Sequence, residues 1–304
     1  MKIPKSIQAD LALIAITFVW GSTFTVVKTS LDQISPILFV SLRFWLATVI
    51  VLAFMPRQIF KMSRKTLGRG LLLSLFLLGG IVFQTLGLRS ASPSNSAFIT
   101  ALSVLLVPLL GFSFFRDRPR LQTLIGIILA TLGLYFLLVH LSEMNVTSGD
   151  ILTLICAVLF AFQILFVGKF VAMTDYRHLI LLQVAGVAVF STVMIPFLET
   201  PAVVWNSQLV LSFFVTSVLA TAIAFYVQAR AQQFTTANRA ALIFSLEPFF
   251  AALFAYWLLG NVLTAREWIG GLLILAGILV SELRISSREK ELPGAEPISV
   301  PEPE

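Results

Sequence analysis

Charge, cysteine and histidine are scarce in this chain. Lys, Arg, Asp and Glu together make up 12% of its 304 residues, about half of the roughly 25% usual in soluble domains. A water-facing surface of ordinary polarity is therefore excluded. One cysteine, Cys156, lies inside an apolar run. A disulfide framework is excluded, and Cys156 reads as a small buried hydrophobe. The two histidines, His140 and His178, both fall at the ends of apolar segments, so a His-based metal site or catalytic triad lacks its raw material. No Gly-Lys-Ser/Thr phosphate loop, His-Glu-x-x-His or Gly-x-Ser-x-Gly occurs. The chain thus shows no means of hydrolysing ATP and no common hydrolase signature, and nothing implies a cofactor or a metal.

What is present is apolar surface. Hydrophobic residues make up 58% of the chain, with 27 phenylalanines, and the mean hydropathy is +0.95. Lipid can cover such a surface. A helix needs about 20 apolar residues at 1.5 Å each to cross the hydrocarbon core. Ten runs approach that length: 11–27, 36–55, 70–88, 97–115 and 121–139, then 151–171, 179–198, 209–227, 240–259 and 268–283. The predicted fold class is all-α integral membrane, with ten transmembrane helices. The first run is long and lacks a small-x-small cleavage site, so it reads as a span rather than a signal peptide. Residues 285–304, rich in proline and glutamate, read as a disordered tail.

The pI near 9.8 does not point to nucleic acid, because the positive charges are dispersed among short loops. With the N-terminus placed in the cytoplasm, 17 Lys and Arg fall inside and three fall outside, with Arg43 left within a span. Orientation follows that bias, so both termini and the tail are predicted cytoplasmic. A plasma membrane facing a prokaryotic cytoplasm fits. The partners are then the bilayer and a small-molecule solute. Both a monomer and a larger assembly fit the sequence.

The two halves resemble each other. Ala15, Phe18 and Phe24 match Ala157, Phe160 and Phe166. Ala101 and Pro108 match Ala241 and Pro248. Ile125, Gly126, Leu129 and Gly133 match Ile269, Gly270, Leu273 and Gly277. The offsets stay between 140 and 144, as an old duplication would leave them. Each unit holds an odd number of spans, so the second enters the membrane inverted. Inverted repeats suit alternating access.

Several of these segments carry a further likeness. Phe18-Val-Trp-Gly-Ser-Thr-Phe24, Leu42-Arg43-Phe44, Val107-Pro108 with Gly126 to Gly133, and Leu246-Glu247-Pro248 with Gly270 to Gly277 resemble the drug/metabolite transporter superfamily in its ten-helix EamA-type branch. The resemblance spans residues 8–284. It implies one five-helix repeat over 1–140 and another over 145–284, with the fifth and tenth helices outside a ring of eight around a central cavity. It also implies transport, often export, of amino acids, metabolites or amphipathic compounds. The family often carries an acidic residue after the fourth and ninth helices. Asp117 fills the first place, whereas Asn261 stands near the second.

Candidate pathway residues follow from polarity inside the spans. Mid-helix prolines at matching places, Pro108 and Pro248, would free the carbonyls of Val104 and Phe244; a packing kink is the alternative. Glu247 is the only carboxylate deep in a span and Arg43 the only deep arginine. Arg43 lies roughly 12 Å from one membrane face and Glu247 roughly 15 Å from the other. At those depths they could pair or share a cavity, as a structural ion pair or as a substrate-charge or proton site. Trp20 and Thr23 share a polar-aromatic helix face, with Phe162 and Gln163 at the corresponding place in the sixth span. Gln84, Asn95, Thr100, Tyr226 and Asn238 add uncharged hydrogen-bonding groups. Such groups line pathways or join helices. A membrane scaffold or receptor, and a membrane-embedded enzyme, stand as alternatives to a carrier.

Overall fold

The computed structural model describes residues 4–55, 62–138, 147–259 and 264–282. The expected tail at 285–304, along with His140 and Asn261, lies outside them. The described residues are helical, apart from short connections and one isolated antiparallel bridge between Ile34 and Val203. In chain order the helices of the first half are α1 (Lys5–Ser30), α2 (Pro36–Ala53), α3 (Arg64–Gly87), α4 (Pro93–Ala101), α5 (Ser103–Phe115) and α6 (Leu121–Leu138). The second half has α7 (Ser148–Phe170), α8 (Tyr176–Leu198), α9 (Ser207–Phe213), a π-helical stretch (Phe214–Ile223), α10 (Ala224–Ala231), α11 (Ala237–Phe244), α12 (Glu247–Leu259) and α13 (Ala265–Glu282).

Among the described residues, eight helical stretches are long and apolar enough to cross a membrane. They coincide with eight of the ten expected spans. The remaining two, the fifth and tenth, correspond to shorter apolar helices at 121–136 and 268–281. Large apolar side chains such as Val49, Phe54, Leu109, Ile128, Val193 and Leu272 point outward, which only a hydrocarbon surround makes favourable.

Local chemistry sets the helix ends. Ser63, Ser92, Asn206 and Thr236 each accept a backbone N–H from the first turn of the helix they precede, replacing the missing intrahelical partner. Thr147 and Asp150 form a reciprocal capping box at the start of α7. The opening of α2 is closed from the other half of the chain: the Glu199 carboxylate accepts from the amides of Ile37 and Leu38, at 3.0 and 2.7 Å.

The spans expected at 97–115 and 240–259 are both interrupted. α4 passes to α5 through Leu102, and α11 passes to α12 through Ser245 and Leu246, each over a short i→i−3 turn. The breaks were expected at Pro108 and Pro248 but lie N-terminal to them. Pro108 is buried within α5, whereas Pro248 is the second residue of α12. A proline there sacrifices no intrahelical bond, and its crowding acts on the preceding turn, where α11 ends.

Exchanging the two halves maps the packing partners onto one another. α1 packs on α10 and α12, and α7 packs on α3 and α5. α2 lies against the π-helical stretch, and α8 against α3. α2 meets α8, and α6 meets α13. The last pair approaches closely. A Cβ placed on Gly133 would stand 2.5 Å from the Gly270 carbonyl oxygen, and one on Gly126 would stand 2.6 Å from that of Gly277. Small residues let these two backbones touch. Gly133→Val should therefore destabilise the purified protein by about 1–3 kcal/mol, the usual scale of overpacking. A thermal unfolding midpoint unchanged from the parent would refute the close packing.

Candidate functional site

A cavity of about 60 Å³ lies among α1, α2, α3, α4, α5, α7, α10, α11 and α12. Its walls are mixed. Trp20, Ile81, Phe160, Ile164, Phe225 and Phe244 supply apolar surface, while Thr23, Gln84, Thr100, Ser103, Gln163 and Gln228 supply hydrogen-bonding groups. Arg43 and Glu247 complete the lining. Ser103 and Glu247 are the first residues after the two helix breaks, so each interruption brings a polar side chain to the cavity wall. Glu247 opens α12, where the helix dipole favours a negative charge.

Arg43 is buried, and its Nε donates to the Thr221 hydroxyl at 2.8 Å. Its guanidinium also sits 5.5 Å from the Phe44 ring centre. Among the described residues no ion pair joins Arg43 to Glu247, although both face the same cavity. Thr221 lies in the π-helical stretch, and its hydroxyl donates five residues back to the Thr216 carbonyl at 2.7 Å. The neighbouring carbonyl, Ala220, accepts the Trp20 indole N–H at 2.9 Å. The wide i→i+5 turn thus offers adjacent acceptors to Trp20 and Arg43. Single π turns often accompany functional positions in helices. Trp20 is further held between Phe225, tilted at 5.7 Å, and Phe244, edge-on at 5.1 Å between ring centres.

On the opposite wall three amides form a buried cluster. Gln163 and Gln228 exchange hydrogen bonds at 3.2 and 3.4 Å, and Gln163 also donates to the Gln183 side-chain oxygen at 3.2 Å. Gln84 donates to Thr100 at 3.3 Å. Seven of the expected ring of eight spans supply the lining, and α8 supports it through Gln183.

Of the sequence candidates, Trp20, Thr23, Arg43, Gln84, Thr100, Gln163 and Glu247 meet at this cavity. Six others do not line it. Asn95 is exposed in the first turn of α4. Pro108 and Pro248 are buried beside the breaks. Phe162 stacks on Phe76 at 5.1 Å, on another face of α7. The Tyr226 hydroxyl meets that of Tyr176 at 3.1 Å. Asn238 lines a second cavity. Sequence reasoning passed over Gln183, Gln228, Ser103 and Thr221. An amide inside an apolar run is a visible signal and could have found both glutamines. Ser103 and Thr221 carry no such mark, because serine and threonine are common inside membrane helices. No group of three or more His, Cys, Asp or Glu placed to hold a metal ion occurs among the described residues.

With this geometry in view, the comparisons with known proteins are informative. The model of the "EamA-like transporter family" matches residues 7–139 and again 147–283. An "Uncharacterized transporter" of Archaeoglobus fulgidus is 34% identical over 92% of this chain and 88% of its own length. A "Probable amino-acid metabolite efflux pump" of Salmonella typhimurium is 27% identical over 89% and 93%. One solved crystal structure superposes with a TM-score of 0.75 at 17% identity, covering 90% of this chain and 97% of that one. That likeness concerns the fold alone.

The amide cluster makes a direct prediction. Gln163→Leu strips buried Gln183 and Gln228 of their shared partner and should cost about 1–3 kcal/mol. Thermal denaturation in detergent would measure it, and a neutral result would mean that water already satisfies those groups.

Proposed function

The chain belongs to the EamA-like transporter family, and on that premise we propose that it exports small zwitterionic organic solutes, amino acids and related metabolites, by alternating access through the central cavity. Membership makes it a multi-span membrane transporter rather than an enzyme. The observation that carries the finer reading is the unpaired presence of Arg43 and Glu247 in one cavity walled by aromatic rings. A carboxylate has a partner in Arg43 and an ammonium has one in Glu247. Desolvated charges demand such partners, and two opposite charges that form no ion pair with each other favour the solute that supplies both. The Salmonella relative's name supports the same class.

The cavity volume bears on the mechanism. About 60 Å³ holds a few waters, far short of the roughly 300–1,000 Å³ of ligand pockets. A metabolite enters only when the helices part, so this conformation reads as a contracted one. The two successive family matches and the exchangeable packing of the halves support the inverted-repeat reading of 1–140 and 145–284. Two nearly equivalent halves can open the cavity to either face at similar energy. The charge bias of the loops supports cytoplasmic termini in a plasma membrane.

Counterflow in proteoliposomes tests the transport reading. Labelled amino acid should accumulate in vesicles loaded with unlabelled amino acid, chemically unchanged. Arg43→Ala and Glu247→Ala should each lower exchange at least about tenfold, the scale of leaving a buried polar partner unmet. A scaffold would give no flux with any solute, and an enzyme would return an altered one.

Coupling has its own variant. If Glu247 carries a proton through the cycle, Glu247→Gln removes the group that titrates, and exchange loses its dependence on pH. Full transport with the parental pH profile would eliminate Glu247 as the proton carrier.

A further inference from the structure

A second cavity, of about 590 Å³, is lined by Arg118, Arg120, Lys169 and Arg239 against a single carboxylate, Asp117. Two helices begin at it. The first-turn residues Ala237 and Asn238 of α11 and Thr123 of α6 all contribute to the wall. Helix N-termini present unbonded amides and the positive end of the dipole. Asp117 binds Lys169 at 2.5 Å, and Arg239 is held by Asp10 of α1. These pairs fix two of the cations in place, and Arg118 and Arg120 add exposed charge at the rim.

This cavity stands in series with the central one. α5 gives Ser103 to the central cavity and Gly111 to the second. α7 gives Ile164 and then Leu165 and Gly168, and α11 gives Phe244 and Ala237. On α7 the two linings adjoin, whereas on α5 and α11 they stand roughly 10–12 Å apart along the helix. Val104 and Val107 of α5 and Ala240 of α11, which fall between those positions in the chain, are buried in one apolar cluster.

We infer that the second cavity is a binding site for a soluble oxyanion, the carboxylate or phosphate group of a small metabolite, and that it captures such solutes before they reach the central cavity. Clefts lined by one sign of charge concentrate ions of the other. The apolar cluster keeps the two sites separate until the halves move. The role in capture rests on the transporter reading above, whereas oxyanion binding does not.

The test uses the full chain with Cys156→Ala and a single reporter, Thr123→Cys, purified in uncharged detergent. Two thiosulfonate reagents are compared, one bearing a sulfonate and one a trimethylammonium group, with rates normalised to a free thiol. The anionic reagent should be favoured about tenfold. Arg118→Ala with Arg120→Ala should bring the ratio close to that of the free thiol. Inorganic sulfate should slow labelling saturably, where chloride of equal ionic strength does not. A ratio that starts at the free-thiol value, or that ignores loss of the arginines, would overturn the site. Suppression by added anionic phospholipid but not by sulfate would overturn it in favour of a lipid headgroup. Counterflow on the same protein separates the two readings. Lost exchange with intact anion preference counts against transport alone, and intact exchange without anion preference counts against this site alone.

Discussion

A polar group inside a bilayer has no water to turn to, so it must find its partner within the protein. That constraint organises this molecule. Backbone groups are satisfied by helices, and the few polar side chains in the spans turn inward. Arg43 reaches Thr221, Trp20 reaches Ala220, and the three amides Gln163, Gln183 and Gln228 hold one another. The outward surface is left to leucine, isoleucine, valine and phenylalanine. The central cavity is the place where these inward-facing groups converge without all being consumed by one another.

Irregular backbone in a span is tolerated where it lines a cavity or is buried in protein: the two helix breaks border the central cavity, and the π-helical stretch holds two of its lining residues. The breaks at Leu102 and at Ser245 deliver Ser103 and Glu247. The π-helical stretch delivers the hydroxyl and the carbonyl that hold Arg43 and Trp20. Each departure is tied to a residue at the site. Around the periphery the chain is regular, and α6 and α13 meet through glycines with backbones nearly in contact.

The two cavities divide the electrostatics of the pathway. One is small, with walls both apolar and hydrogen-bonding and one charge of each sign. The other is wide and basic. A solute meeting the second first would be sorted by its anionic group, and the central cavity would then read both of its charges. Inter-half ion pairs border the wide cavity, Asp117 with Lys169 and Asp10 with Arg239. On the opposite side of the bundle, Glu199 caps α2 and the chain near Ile34 pairs with that near Val203. Movement between the halves would have to exchange these contacts.

Composition and hydropathy determined much by themselves. The helical membrane class, eight of the spans with the fifth and tenth appearing as shorter helices, and the singling out of Arg43 and Glu247 all came from the energetics of apolar runs and of charge in hydrocarbon. Those rules act on a segment without regard to its neighbours. Only the tertiary structure decided which polar residues meet. Helical spacing places Phe162 beside Gln163, yet packing turns Gln163 to the cavity and Phe162 to Phe76. Asn95 and Tyr226 look as polar in sequence as Gln84, but their helix faces point elsewhere. The prolines marked the interrupted spans, but only Pro248 sits directly after its break, where it crowds the end of α11; Pro108 lies inside α5, well past the break at Leu102. The π register that holds Arg43 has no marker in its residues. It lies where Trp20 and Arg43, far away in the chain, are bound.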